Sequence, residues 1–191
     1  MLIGVLALQG DYSLHVEILN RNKINNILIK DPLELSIIDG LIITGGNYDI
    51  SPLVYGKKPT MKNNEKVDRT NFEIKICKKS LEKNIPVFGI CGGEQVLNVC
   101  LGGTLIEDIK SNISNALNHE QIEPRNTTSH SVIIDSSSQL FSLIKEKKIK
   151  VNSAHHQAVD KPGNSISICG RSEDGVVEAI ESNKYKWCLG V

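Results

Sequence analysis

The chain has 191 residues, enough for one domain with a full hydrophobic core. Lys+Arg and Asp+Glu balance at 22 each, so no bulk field recruits nucleic acid or an anionic membrane surface. Five cysteines without a C-x-x-C pair fit neither a disulfide framework nor a zinc site.

Residues 2–8 form an apolar run with β-branched members, read as a central parallel strand ending in Gln9-Gly10-Asp11. This start lacks the basic lead-in and cleavage pattern of a signal segment and is too short for a membrane span, so the cytoplasm is the expected compartment. In that compartment the sequons at Asn112 and Asn126 carry no meaning. Leu14, Ile18 and Leu19 recur at helical spacing, with Asp11 as a cap. Apolar runs at 27–29 and 37–43 follow, the second ending in Thr44-Gly45-Gly46-Asn47. Strand, helix, strand, strand, with glycines at the carboxyl ends, predicts a doubly wound, mostly parallel α/β domain. Ligands of such domains sit beyond the carboxyl ends of the strands. Residues 47–67 are a long polar loop, functional by its length or else disordered. A helix is predicted over 68–83, with Phe72, Ile76 and Leu81 on one face and lysines on the other.

The stretch P-V-F-G-I-C-G-G-E-Q at 86–95 organises the chain. Val87 to Ile90 reads as a buried strand that stops at Cys91; two glycines follow, then an apolar helical pattern. A reactive side chain at a glycine-flanked strand-to-helix turn is the layout of a nucleophile elbow. The helix that starts there aims N–H groups and a positive dipole end at the sulfur, which is expected to favour the thiolate. A buried structural cysteine is the other reading. Cys91 would share one sheet edge with Gly45-Gly46.

Beyond the elbow helix, residues 101–109 turn into an extended segment, and 111–128 are polar and irregular. Residues 128–135 alternate as a strand, 139–146 as a short helix and 149–152 as a strand. Ser153-Ala154-His155-His156-Gln157 is a polar turn. Residues 165–170 and 175–181 read as paired strands, and 187–191 as one more apolar run. No repeat or linker divides the chain, so residues 1–191 are read as a single domain. His15, His119 and His130 have no spacing that suggests a metal, and Glu94 is read as a surface residue. Asp49, Tyr55 and Glu178 shape specificity or serve as turn and packing residues.

The order of motifs carries more than any one of them. G-I-C-G-G-E-Q at 89–95 resembles the G-x-C-x-G-x-Q signature of class I glutamine amidotransferase domains. The resemblance continues through L-N-V-C-L-G-G-T-L-I-E-D-I at 97–109, H-S-V at 130–132, N-S-A-H-H-Q-A-V at 152–159 and D-G-V-V-E-A-I-E at 174–181. With G-G-N-Y-D-I-S-P-L-V-Y-G at 45–56, the chain looks like the γ-glutamyl-γ-aminobutyrate hydrolase branch, although its opening is more like the glutaminase subunit of pyridoxal phosphate synthase. The resemblance implies a flavodoxin-like fold and hydrolysis of a γ-glutamyl amide or glutamine through a Cys91 thioester. It assigns the oxyanion hole to backbone N–H groups of Gly46 and Gly92, and substrate contacts to Gln95, His155 and His156. It implies no metal or organic cofactor, and no nucleic-acid or membrane partner; a homo-oligomer stays open.

One departure stands out. In the family the last strand continues into Q-W-H-P-E, whose His is the general base and whose Glu orients it; here the sequence given reaches Val191 without them. The expectation is a chain truncated before that motif and impaired as an enzyme. The alternatives are a tail supplied by a second polypeptide, a binding pseudoenzyme, or a glutaminase subunit that passes ammonia to a synthase.

Overall fold

A computed structural model describes residues 1–6, 12–62 and 64–191. The first strand, β1 (Leu2–Leu6), leads to helix α1 (Ser13–Arg21) and strand β2 (Asn25–Leu28). The expected Asp11 cap lies outside the described residues, and Tyr12 stands at the N-cap position without a side-chain cap bond. The predicted apolar face of α1 is corrected: Leu19 is buried, but Leu14 and Ile18 are 63% and 58% exposed. A nine-residue helix buries little, and α1 spends only one residue on the core.

A 3₁₀ turn, Pro32–Ser36, opened by an Asp31–Glu34 capping box, leads to β3 (Gly40–Ile43). The described residues of 47–67 hold a second 3₁₀ turn, Pro52–Tyr55, and an isolated bridge between Asp49 and Glu65. Helix α2 (Val67–Glu82) follows, then β4 (Val87–Gly89) and α3 (Gly92–Cys100). Strand β5 (Thr104–Ile106), the single-turn helix α4 (Ile109–Asn112), β6 (His130–Ile134), α5 (Gln139–Ile144) and β7 (Lys148–Val151) come next. The chain then runs through β8 (Ala158–Lys161), β9 (Ser167–Ser172), β10 (Val177–Glu181) and β11 (Cys188–Gly190). Strand β8 was not predicted. It pairs only with β5 in a small separate ladder, and a four-residue segment starting Ala-Val-Asp-Lys has no strong strand signature.

The main sheet has the order β2-β1-β3-β4-β11-β10-β9-β6-β7. Strands β2, β1, β3, β4 and β11 are parallel, the flavodoxin-like half. The remaining pairs are antiparallel, so β10 and β6 alone run counter to the other strands of this sheet. The chief core cluster gathers Leu6, Ile43, Ile76, Val87, Val96 and Leu97 between the parallel strands and helices α2 and α3. A second cluster of Val132, Ile134, Leu140, Ala179 and Leu189 lies on the antiparallel half. Each buried Val, Leu or Ile among them contributes about 1.5–3 kcal/mol.

Candidate active site

The elbow is built from close backbone approach. Ile90 N donates to Ile43 O at 2.9 Å, which ties the end of β4 to β3. A Cβ on Gly93 would stand 2.0 Å from Ile43 O, and one on Gly89 would stand 2.5 Å from Gly93 O, so only glycine lets α3 start this close to the sheet. Between them Cys91 is forced to φ 53°, ψ −109°, a strained conformation for a residue with a side chain. This is the strand-to-helix strain of a nucleophile elbow. Cys91 N donates to Val191 O at 2.6 Å, so the residue after the last strand sits against Cys91.

Electrostatics at the sulfur differ from the sequence reading. Burial pushes the Cys91 thiol above its ordinary value; the Gly92 N–H pulls it back, and the nearby Glu94 and Glu178 push it further up. The helix end therefore favours the thiolate, as expected, but desolvation outweighs it. Glu94 is corrected as well. It is 5% exposed, not a surface residue, and burial and then the charge on Glu178 hold its carboxyl well above the usual carboxylate range. Helix α3 is buried from Gly92 to Val99, so no face of its first turns is solvated.

A buried ion pair shapes the Gly45-Gly46 turn. Arg69 and Glu73, one turn apart on α2, pair at 2.7 Å with side chains fully buried. Arg69 Nη2 donates to Gly45 O at 3.0 Å, its guanidinium lies 3.8 Å from the centre of the Tyr48 ring, and Tyr48 Oη donates to Glu73 Oε2 at 2.7 Å. Burial raises the Tyr48 phenol far above its ordinary value, with Glu73 adding to it, so Tyr48 stays a donor. Sequence reading passed over this triad. An Arg-x-x-x-Glu pair on a helix ordinarily signals a solvated face, and its only distinguishing sign was a position on the side of Ile76.

The other wall comes from the His155-His156-Gln157 turn. Gln95 Nε2 donates to Gln157 O at 2.8 Å. The Gln157 side chain accepts from Ile50 N at 2.8 Å and donates to Ile50 O at 3.2 Å, while His156 Nε2 lies 2.7 Å from Asp49 Oδ1. These bonds staple residues 49–50 to the turn across more than a hundred positions of sequence. Gly46, Cys91, Gly92, Gln95, His155 and His156 thereby line one cavity of about 530 Å³, together with Glu120 and Arg125. All six residues singled out from the sequence meet there. A neighbouring, mainly apolar cavity of about 650 Å³ reaches Cys91 from the side of Val132, Trp187 and Val191.

Behind His155 lies a polar centre that the sequence did not reveal. His119 Nε2 is 2.9 Å from Asp174 Oδ2, His130 Nε2 is 3.0 Å from Glu178 Oε1, and His155 Nε2 is 3.5 Å from Glu178 Oε2. Burial alone would raise the Glu178 carboxyl, yet the hydrogen bonds of His119 and His155 and the neighbouring histidine charges bring it down to about 2. One ligand atom each from His119, His130 and Glu178 lies within 4.8 Å of the others, a set able to hold a metal ion.

This fold with a cysteine elbow at the carboxyl ends of its parallel strands defines a class I glutamine amidotransferase-like domain. The peptidase C26 family model matches residues 27–191, and the chain belongs to that family. It is 37% identical over 198 residues to a glutamine amidotransferase-like protein of Rickettsia prowazekii, covering 82% of this chain and 70% of that protein. It is 29% identical to the γ-glutamyl-γ-aminobutyrate hydrolase of Escherichia coli, covering 81% of this chain and 62% of that one. The crystal structure of a glutamine amidotransferase from Thermotoga maritima shares the fold with a TM-score of 0.67 at 17% identity, covering all of this chain and 74% of the other. No helix among the described residues is long and apolar enough to cross a membrane.

Proposed function

We propose that the cavity at Cys91 hydrolyses a γ-glutamyl amide through a thioester on that cysteine. The observation that carries this reading is the strained backbone of Cys91 at the mouth of a cavity also lined by Gly46 and Gly92. In the proposed reaction Cys91 Sγ attacks the side-chain carbonyl, and the N–H groups of Gly92 and Gly46 take the developing oxyanion. Each such donor is typically worth ~3–4 kcal/mol. The amine leaves with a proton, and water then cleaves the thioester to release the γ-carboxylate. His155, His156 and Gln95 surround the glutamyl part, and the Arg69–Glu73–Tyr48 triad holds the Gly45-Gly46 turn in place for it.

The raised thiol makes an acid–base partner necessary. A residue following Val191 would emerge directly at the elbow, because Val191 O accepts from Cys91 N. That is where the family's His-Pro-Glu segment would deliver a base and its orienting carboxylate. On this reading residues 1–191 bind and are acylated, and turnover by them alone is impaired.

The test compares hydrolysis of glutamine and of γ-glutamyl amines by the 191-residue chain and by a form extended with Gln-Trp-His-Pro-Glu. The extended form is expected to turn over about 10²–10⁴-fold faster, the usual contribution of a positioned acid–base group. Inertness of both forms toward every γ-glutamyl amide would overturn the proposal. Ammonia release that appears only when a synthase is added would favour the glutaminase-subunit reading.

A further inference from the structure

Three side chains from distant parts of the chain converge in the interior without any part in the acyl-transfer chemistry. His119 comes from the irregular segment before β6, His130 opens β6, and Glu178 lies on β10. Their side chains are 2%, 3% and 11% exposed. Glu178 Oε1 stands 3.1 Å from His119 Nδ1 and 3.0 Å from His130 Nε2. We propose that His119, His130 and Glu178 form a binding site for a divalent transition-metal ion of the zinc type.

The outer contacts set the tautomers that ligation needs. His119 Nε2 faces Asp174 Oδ2 at 2.9 Å, and Asp174 is itself held by Leu117 N and Ser172 Oγ. With Nε2 on Asp174, Nδ1 is the His119 atom that faces Glu178. His155 does the mirror image: Nδ1 faces Gln157 O at 2.9 Å, leaving Nε2 toward Glu178 Oε2. A ligating histidine whose second nitrogen donates to a carboxylate or a carbonyl is the recurrent support of metal sites.

The inner contact points the same way. His119 Nδ1 is buried and faces Glu178 Oε1 at 3.1 Å, an ion-pair distance. A nitrogen and a carboxylate oxygen this close need a proton or a metal ion between them, and a metal bound here would displace that proton. Ligands at the usual zinc distances and tetrahedral angles stand about 3.3–3.5 Å apart; here Glu178 Oε1 lies 3.1 and 3.0 Å from the two nitrogens, and the three atoms lie within 4.8 Å of one another. Imidazole nitrogens with one carboxylate suit zinc better than they suit the oxygen-seeking calcium or magnesium. An ion at this point would tie the segment between α4 and β6 to strands β6 and β10, behind the histidine turn of the cavity.

The test titrates the full chain, stripped with a chelator and gel-filtered, with Zn²⁺ by calorimetry and with Co²⁺ by visible absorption. One equivalent of either ion is expected, with the intense d–d bands of a four-coordinate Co²⁺ site and no thiolate charge-transfer band. Cys91→Ser should leave the isotherm unchanged, which separates this site from the amide-hydrolysis reading. His130→Ala and Glu178→Gln should lose binding, with folding checked by circular dichroism. Asp174→Asn, which keeps every ligand, should weaken affinity about 10–100-fold. No binding by the wild-type chain, unchanged affinity in both ligand variants, or sulfur in the cobalt shell would overturn the proposal. The first of these results would leave the cluster as a histidine–carboxylate ion-pair network.

Discussion

The parallel and antiparallel halves of the sheet bring polar groups to the same cavity in opposite ways. On the parallel side, Arg69, Glu73 and Tyr48 are drawn from a short span of sequence and close on one another with matched charge, at the back of the Gly45-Gly46 turn. On the antiparallel side, His119, His130, His155 and the Asp174–Glu178 turn come from four separate places, and the buried His130 Nδ1 has no hydrogen-bond partner among the described residues. A complete set of partners makes the first centre a scaffold. The second centre is the incomplete one, which a further ligand would complete. The difference lies in satisfaction, since both are buried and both are charged.

The comparison can be broken hardest at the scaffold. Arg69→Met leaves Glu73 buried without its partner and should cost about 3–5 kcal/mol, read from the denaturant midpoint. Arg69→Met combined with Glu73→Met should recover most of that loss. A milder cut, Tyr48→Phe, removes one hydrogen bond to a charged group and should cost about 1.5–3 kcal/mol. If Arg69→Met were neutral, the triad would be an ornament of α2 and the Gly45-Gly46 turn would stand without it.

The strain of the elbow gives a smaller effect of opposite sign. Cys91→Gly relieves the positive φ and should raise stability by about 1 kcal/mol while abolishing acylation. A drop in stability would mean that the sulfur's packing outweighs the strain.

The last comparison is a slope with pH. The Glu94 carboxyl, held above the ordinary range by burial and Glu178, keeps its proton in the folded chain, while the unfolded chain releases it above pH ~4.3. The folded state then binds more protons than the unfolded state, so this group makes stability fall as pH rises from there toward its raised folded value. Glu94→Gln should flatten that part of the profile, as measured by denaturation at a series of pH values. An unchanged slope would show that Glu94 ionises in the folded protein.

How much of this was legible depended on how far apart the participating residues lie. The elbow could be read because its strand, cysteine, glycines and helix occupy ten consecutive positions, and their order is itself the geometry. The parallel half followed for the same reason: apolar runs ending in glycine mark strand ends that share one edge. Glu94 was misread because a charged residue in a helix is normally solvated, and α3 is buried from Gly92 to Val99. Leu14 and Ile18 failed in the other direction, since apolar spacing alone does not say that anything packs on the face it defines. The histidine centre had no signature at all. His130 and Glu178 are 48 positions apart in the numbering, and the pairing of β6 with β9 and of β9 with β10 brings them together.

The central claim concerns Cys91, and a glutamine-derived electrophile such as a diazoketone tests it most directly, with modified cysteines mapped by mass spectrometry. The account predicts saturable labelling of Cys91, slowed by glutamine or a γ-glutamyl amine, while Cys77, Cys100, Cys169 and Cys188 stay unmodified. Labelling of the part-exposed Cys100 at the same rate as Cys91, or labelling that no γ-glutamyl compound slows, would contradict it.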